Sequence, residues 1–334
     1  MSAKKKIIIL HTGGTFGMNL NGEPEEQDQF LKVLKERAPQ IFDFAEIEVE
    51  IVLNKDSSNI RPSDWLRLAK KIDSCLSEYD GIVVTHGTDT MAFTTSVMSF
   101  LISNPGKPII FTGSQRPLGD PSSDAGRNLI YSVQLAAAGK INEICLFFDS
   151  WLFRGNRVKK ISIPSFRAFE SPNHPPLATV GANIQYALVS PPPAGPYRFD
   201  PHIETQILSI SLFPGLNLEF FYPLIQKGLK GLILQAFGPG DIPLGAGSVE
   251  SLIQKLTSEG IPTVICSQAI YGGVDLSLYQ TGRAAVAAGA ISALDMTWEA
   301  TLAKTMCLLG RGFPMGPFRE SIKTNWAGEL TLNG

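Results

Sequence analysis

Two loops that end in hydroxyl-bearing residues each follow a short apolar run in the first third of the chain. The first loop, H-T-G-G-T, occupies residues 11–15, and the second, H-G-T-D-T, occupies residues 86–90. The carboxyl ends of parallel strands meet at one edge of an open α/β sheet, where ligands bind. We therefore predict that Thr15 and Thr88 face each other across one cleft, with the Asp89 carboxylate beside them to hold a substrate ammonium group.

Each loop taken alone also has a purely structural explanation. H-T-G-G-T is compatible with a strand-to-helix turn capped by Thr15, while Thr88 and Asp89 are typical of a turn and a helix N-cap. The glycines allow the backbone to approach a ligand closely. Neither G-x-G-x-x-G after a strand nor G-K-[S/T] occurs in the chain, which argues against the common nucleotide-binding loops. The occurrence of two similar loops on neighbouring strands favours a shared site.

A threonine hydroxyl is a weak nucleophile at neutral pH and needs a nearby base. The chain has only four histidines and no Ser-His-Asp spacing. Since His11 and His86 end strands, we expect them to be packed and hydrogen-bonded. A lysine whose pKa is lowered by burial or nearby charge is the natural substitute. The segment R-G-N-R-V-K-K, residues 154–160, offers lysines, but spacing alone does not select one.

The composition excludes several classes of protein. Twenty-nine Lys and Arg against 31 Asp and Glu give a net charge of -2, which offers no basic field for nucleic acid. The four cysteines lie far apart, without C-x-x-C or a histidine at ligand spacing, so no disulfide framework or zinc site is indicated. The apolar run at residues 7–10 is too short for a signal peptide or a membrane span. We expect a cytoplasmic protein that has no metal and contacts no membrane.

β-branched runs alternate with amphipathic segments, which predicts an α/β fold with a larger, mostly parallel N-terminal sheet flanked by helices. The predicted strands of this part are residues 6–11, 48–53, 81–86, 108–112 and 143–148. The predicted helices are residues 62–76 and 90–102, with Ser63 and either Thr88 or Asp89 as N-caps.

The run S-P-P-P-A-G-P at residues 190–196 fits neither a helix nor a central strand and indicates a stiff linker. We place an N-terminal α/β domain at residues 1–190, the linker at 191–204 and a smaller C-terminal α/β domain at 205–334. Predicted strands and helices alternate in the last part: strands 207–212, 231–235 and 262–266, and helices 248–258, 282–288 and 297–309.

Six motifs together resemble a known family, the bacterial-type L-asparaginases, and in particular their cytoplasmic type I branch. In family order they are T-G-G-T-F-G-M (12–18), D-S-S-N-I (56–60), T-H-G-T-D-T-M (85–91), T-G-S-Q-R-P (112–117), R-G-N-R-V-K-K (154–160) and Y-Q-T-G-R-A (279–284). The resemblance covers nearly the whole chain. It implies that the N-terminal domain holds the site, that a side-chain amide is hydrolysed without a cofactor or metal, and that the protein is a homodimer or homotetramer.

The resemblance also implies catalytic roles. Thr15 resembles the family nucleophile, which attacks the side-chain amide carbon of L-asparagine to give an acyl-enzyme and ammonia. Thr88, Asp89 and Lys160 resemble the second catalytic set, in which the lysine supports a proton-shuttling hydroxyl. Lys159 is expected to be a surface charge.

Substrate-binding and oxyanion roles follow from the same resemblance. Backbone N–H groups of the two glycine loops, at Gly14, Gly87 and Thr88, are expected to stabilise the oxyanion. Ser57 is expected to bind the α-carboxylate, Asp89 the ammonium group, and the Ser114 carbonyl the leaving amide. The implied substrate-binding residues are Asp56, Ser57, Ser58, Thr88, Asp89 and Ser114.

Two features depart from the family. Members of the family carry a tyrosine on a flexible lid after the nucleophile. Residues 16–29 of this chain contain no tyrosine, and Glu23 falls near the position of the family tyrosine. A carboxylate there is expected to weaken lid closure, to alter substrate choice or to act as a base. A regulatory asparagine site in some relatives includes a cysteine, and S-Q-A-I at residues 267–270 has none, which argues against effector control.

Three alternative functions stay open. An amidotransferase subunit that generates ammonia usually has an added N-terminal domain, and here the first strand begins within six residues of the start. Glutamine is a second possible substrate, because one methylene changes discrimination by only about 1–3 kcal/mol. A weakly active amino-acid-binding relative is the third alternative, although the presence of Lys160 argues against it.

Overall fold

The computed structural model describes residues 4–19, 27–245 and 247–331. The chain divides into an N-terminal unit, Met1–Pro201, and a C-terminal unit, His202–Gly334. None of the helices within these described ranges is long and apolar enough to cross a membrane.

The N-terminal unit is built on twelve described strands and five described helices. The strands are β1 (Lys5–His11), β2 (Ala45–Ile51), β3 (Gly81–Thr85), β4 (Ile102–Ser103), β5 (Ile109–Thr112), β6 (Ile144–Phe148), β7 (Trp151–Arg154), β8 (Lys159–Lys160), β9 (Phe169–Glu170), β10 (Ala178–Val180), β11 (Ile184–Tyr186) and β12 (Arg198–Phe199). The helices are α1 (Gln27–Arg37), α2 (Ile41–Phe44), α3 (Pro62–Cys75), α4 (Met91–Leu101) and α5 (Ala125–Ala138).

Eight of these strands form one mixed sheet in the order β11-β10-β7-β6-β5-β3-β1-β2. The neighbours from β2 to β6 are parallel, while β7, β10 and β11 add antiparallel pairs. The central strand β3, G-I-V-V-T, is buried throughout, as expected for a parallel strand covered on both faces. Edge strand β2, A-E-I-E-V-E-I, alternates exposed glutamates with partly buried aliphatic residues.

The C-terminal unit has a smaller parallel sheet. Its strands are β13 (Ile207–Ser211), β14 (Gly231–Ala236), β15 (Thr263–Ser267) and β16 (Ile291–Ser292), paired in that order. Its helices are α6 (Tyr222–Gln226), α7 (Val249–Ser258), α8 (Gln280–Ala288), α9 (Trp298–Gly310) and α10 (Met315–Lys323). The predicted fold class, a larger mostly parallel sheet with flanking helices and a smaller C-terminal α/β domain, is confirmed.

Three local features differ from the expectations. The N-cap of α4 is Thr90, so the prediction of Thr88 or Asp89 is wrong. Pro62 begins α3 and Arg61 is its N-cap, with the Asp64 carboxylate accepting from the Arg61 N–H, so the prediction of Ser63 as N-cap is wrong. Proline is favoured at the first helical position, which moves the cap one residue earlier. Within residues 191–204, Arg198 and Phe199 form β12, which pairs with β4 of the N-terminal unit.

Candidate active site

The two glycine loops contact each other at the carboxyl ends of β1 and β3. Thr12 donates both its N–H and its hydroxyl to the Thr85 carbonyl, at 3.0 and 2.9 Å. Gly14 has a φ of 78°, and a Cβ added there would overlap the backbone of Gly87. Only glycine therefore allows this approach, and it brings the residues that follow, including Thr88, to one end of the sheet.

Thr15 begins a short 3-10 turn, Thr15–Gly17, which continues directly from the first loop. The Gly17 N–H donates to the Gly14 carbonyl at 3.1 Å. Gly17 lies against the His11 ring, since a Cβ there would be 2.5 Å from His11 Cε1. The His11 ring in turn stacks on Phe30 with centroids 4.4 Å apart. Thr15 is half-buried and therefore lies on a turn that packs against the stacked His11 and Phe30 rings.

Lys160 contacts two side chains of the second loop, those of Thr88 and Asp89. Its Nζ donates to Thr88 Oγ1 at 2.7 Å and to Asp89 Oδ1 at 2.6 Å. Strand β8 pairs with β9 and fixes the direction of this lysine. The structure thus brings together three of the predicted site residues, with a hydroxyl, an amine and a carboxylate in contact.

The D-S-S loop forms a second 3-10 turn, Ser57–Asn59, whose cap is Asp56. The Asp56 carboxylate accepts from the Ser58 hydroxyl at 2.6 Å and from the Ser58 N–H at 2.8 Å, and these hydrogen bonds lower the pKa of Asp56. Ser57 is buried, and its Oγ would lie 2.6 Å from a Cβ on Gly87. Ser57 therefore reaches the glycine loops, whereas Asp56 and Ser58 are exposed and bonded to each other.

The segment after β5 carries the remaining predicted residue. Ser114 is buried and its hydroxyl donates to the Arg116 carbonyl at 2.5 Å. The next residue, Gln115, was not among the predicted site residues, yet its Oε1 lies 3.4 Å from Thr88 Oγ1. Asp124 accepts from the Gln115 N–H at 3.0 Å and holds this segment. The only sequence signal for Gln115 was its place within T-G-S-Q-R-P.

The two strand-end histidines are buried and hydrogen-bonded, as predicted. Burial lowers the pKa of His11 to about 4, and electrostatic repulsion from His86 contributes less to this shift. Burial also lowers the pKa of His86 to about 4. His86 Nδ1 lies 2.7 Å from the Gly87 carbonyl, which can only accept, so this nitrogen carries the proton. Its Nε2 therefore accepts from the Thr94 hydroxyl at 3.0 Å, and the Thr94 oxygen accepts from Trp65 Nε1 at 3.0 Å.

Glu23, at the place of the family tyrosine, lies outside the described residues. Across the ranges that the structure describes, no group of three or more His, Cys, Asp and Glu residues is arranged to hold a metal ion. The described site carries hydroxyl, amine and carboxylate side chains.

Comparisons with known proteins agree with this architecture. The family model described as "Asparaginase, N-terminal" matches residues 6–191, and "Glutaminase/Asparaginase C-terminal domain" matches residues 206–320. The chain belongs to the asparaginase family, and the predicted resemblance is confirmed.

Individual relatives match along nearly the full chain. L-asparaginase 1 of Escherichia coli is 37% identical over 336 aligned residues, 98% of each chain. The thermostable L-asparaginase structure from Thermococcus kodakarensis is similar with a TM-score of 0.90 and 37% identity, covering 98% of this chain and 100% of that one. L-asparaginase I from Vibrio cholerae gives a TM-score of 0.90 and 35% identity, covering 99% of this chain and 100% of that one.

Proposed function

We propose that this protein hydrolyses L-asparagine to L-aspartate and ammonia. The observation that carries the proposal is the contact of Lys160 Nζ with Thr88 Oγ1 and Asp89 Oδ1, next to the turn that carries Thr15. The Lys160 ammonium group donates to Thr88 Oγ1 and can stabilise negative charge on that oxygen while the Thr88 hydroxyl relays the nucleophile's proton, which is the function that threonine nucleophiles require. Full-length similarity to proteins named L-asparaginase supports the same substrate.

In the proposed reaction Thr15 Oγ1 attacks the side-chain amide carbon. The Thr15 proton passes through the Thr88 hydroxyl to the leaving nitrogen, the Lys160 ammonium group stabilises the charge that develops on Thr88 Oγ1 during this transfer, and the C–N bond breaks as ammonia forms. Water then attacks the acyl-enzyme, and the reverse proton transfer restores the Thr15 hydroxyl. Asp89 keeps the lysine in contact with Thr88 through their ion pair.

The orientation of one peptide bond supports an oxyanion donor at Thr88. In a trans peptide the carbonyl and the N–H point in opposite directions. His86 binds the Gly87 carbonyl, so the Thr88 N–H of the same peptide points away from His86. The Gly14 N–H, in contrast, donates to the Lys55 carbonyl at 2.9 Å and is not free to bind an oxyanion. This corrects the expected donor role of Gly14, and we propose Thr88 and Gly87 as the donors.

Substrate recognition is part of the same proposal. Asp89, whose side chain is 64% exposed, has carboxylate surface left for a substrate ammonium group beside Lys160. Ser57 is proposed to donate to the α-carboxylate and the Ser114 carbonyl to accept from the amide. For Asp56 and Ser58 the proposed role is to fix the turn that presents Ser57.

Ammonia release from L-asparagine by the purified protein tests the proposal. We expect Thr15→Ala, Thr88→Val and Lys160→Gln each to lower kcat by about a thousandfold or more, since removing a nucleophile or its base has effects of this size. Lys159→Gln is the matched control, because it removes the neighbouring lysine and is expected to retain activity. Absence of ammonia release by the unaltered protein, or full activity of Lys160→Gln, would contradict the proposal.

We also propose that the protein is a cytoplasmic homo-oligomer. In the C-terminal unit, Tyr271, Leu278, Tyr279 and Val286 are each about half exposed, and such a group of apolar side chains is typical of a subunit contact. The four cysteines are buried free thiols, which is compatible with a reducing compartment. Light scattering on a size-exclusion column tests the assembly, and a monomer at micromolar concentration would contradict it.

A further inference from the structure

An apolar loop borders the proposed catalytic lysine. We define the isoleucine loop as residues 161–166, which directly follow Lys160. Within this loop Ile163 is 85% exposed, Phe166 is 45% exposed and Ile161 is 39% exposed. Single exposed apolar residues are common, but a cluster of three beside a site indicates a binding surface.

The isoleucine loop is held in place by hydrogen bonds. Gln115 Nε2 donates to the Ile163 carbonyl at 2.6 Å and to the Ser165 carbonyl at 3.1 Å. The Ser165 N–H donates to the Ser162 hydroxyl at 3.2 Å. Since Gln115 Oε1 also lies 3.4 Å from Thr88 Oγ1, one side chain links the loop to the proposed proton-transfer hydroxyl. A surface that is fixed before binding loses less entropy when a ligand arrives.

A cavity of about 430 Å³ opens between this loop and the catalytic side chains. Its lining residues are Asp89, Lys160, Ile161, Ser162, Ile163 and Pro164. This volume lies within the range of small-molecule sites. The lining of the cavity therefore includes an ion pair and aliphatic side chains.

The position of Asp89 indicates which part of a substrate would enter the cavity. In the proposed function this carboxylate accepts from the α-nitrogen, so a group attached to that nitrogen points toward the isoleucine loop. Lys160 already compensates the Asp89 charge at 2.6 Å. A neutral amide N–H can therefore replace an ammonium group as the donor to this carboxylate.

We propose that the enzyme also hydrolyses the side-chain amide of asparagine whose α-nitrogen carries a short apolar acyl chain, an inference that rests on the proposed function. The chemistry is unchanged: Thr15 Oγ1 bonds to the side-chain carbonyl carbon, the C–N bond breaks, and ammonia leaves with the threonine proton. Water then cleaves the ester to give the N-acyl aspartate. The acyl chain itself is not cleaved and packs on Ile161 and Ile163.

The test compares N-hexanoyl-L-asparagine, N-acetyl-L-asparagine and L-asparagine as substrates for ammonia release. Each fully buried methylene is worth about fourfold in kcat/KM, and a half-covered one about twofold, so the four additional methylenes should favour the hexanoyl over the acetyl compound by about fifteenfold. Changing Ile161→Ser together with Ile163→Ser should reduce this ratio to about one. Leu188→Ser, which removes an exposed aliphatic side chain outside the cavity, is the matched control and should keep the ratio.

The outcomes separate the inference from the function on which it rests. Turnover of L-asparagine without turnover of either acyl compound would overturn the inference and leave the proposed function intact. A hexanoyl preference that persists in the double serine variant would also overturn it, because the chain would then bind elsewhere. No ammonia from any of the three substrates would overturn the proposed function itself.

Discussion

Acidification from about pH 7.5 to about pH 5 is expected to destabilise the N-terminal unit through His11 and His86. Burial lowers the pKa of each imidazole to about 4, against 6.5 for the exposed group. The unfolded chain thus gains these protons near pH 6.5, whereas the folded protein gains them only near pH 4. The stability contributed by the neutral rings is full above pH 6.5 and is lost progressively between 6.5 and 4.

The size of the effect follows from the two pKa values. At about pH 5 the protonation of each histidine in the unfolded chain lowers the unfolding free energy by about 2 kcal/mol. The two histidines together therefore lower it by about 4 kcal/mol. Total stabilities of domains are about 5–15 kcal/mol, so the change is large enough to measure. Asp124 and Glu143 oppose it, because burial raises the pKa of both carboxyls and favours the folded state as the pH falls.

The assay is urea unfolding at both pH values for the unaltered protein and for His11→Asn and His86→Asn. Asparagine retains a polar group near the position of Nδ1 but does not titrate. Each variant should reduce the pH dependence of the unfolding free energy by about 2 kcal/mol, whatever its stability at neutral pH, while the carboxyl contributions cancel. Equal pH dependence in all three proteins would refute the assignment of buried neutral histidines.

Two further predictions concern single residues. Gly14→Ala should abolish ammonia release, since a Cβ there would overlap Gly87 and the backbone has a φ of 78°; an active variant would contradict the close contact of the two loops. Lys304→Met should lower the unfolding free energy by about 3–5 kcal/mol, because it removes the cation that compensates the charge of the fully buried Glu329 carboxylate. Lys255→Met, which breaks an exposed pair, should change it by less than about 1 kcal/mol, and a similar loss in both variants would contradict the reasoning.

The central strands were predictable because each is an apolar run between turn residues. Gly81–Thr85 and Ile144–Phe148 are buried along their whole length and lie within a residue of the predicted bounds. Strands β10 and β11 were not predicted, because three residues are too few to show a period. Their place at the sheet edge is determined by the pairing of β10 with β7 and of β11 with β10, and the contact with β7 is a tertiary contact that no local pattern contains.

The site was only partly predictable from spacing. Spacing placed Thr88 and Asp89 at a strand end but could not choose between Lys159 and Lys160, and the choice came from the family resemblance. The structure gives the physical reason for the difference. Successive residues of a strand point to opposite faces, so only one of two adjacent lysines in β8 can reach Thr88. Which one does so depends on the pairing of β8 with β9, and the sequence does not specify that register.

The buried histidine and the proposed oxyanion donor belong to one hydrogen-bonded unit. The chain of contacts runs from Trp65 through Thr94 and His86 to the Gly87 carbonyl, and the far side of that peptide presents the Thr88 N–H. The side chains of this series are hydrogen-bonded to one another. The low pKa of His86 and the direction of the Thr88 N–H therefore have the same origin, which is the burial of the His86 ring against the loop. Burial at this strand end therefore sets both the acid sensitivity of the fold and the geometry available for catalysis.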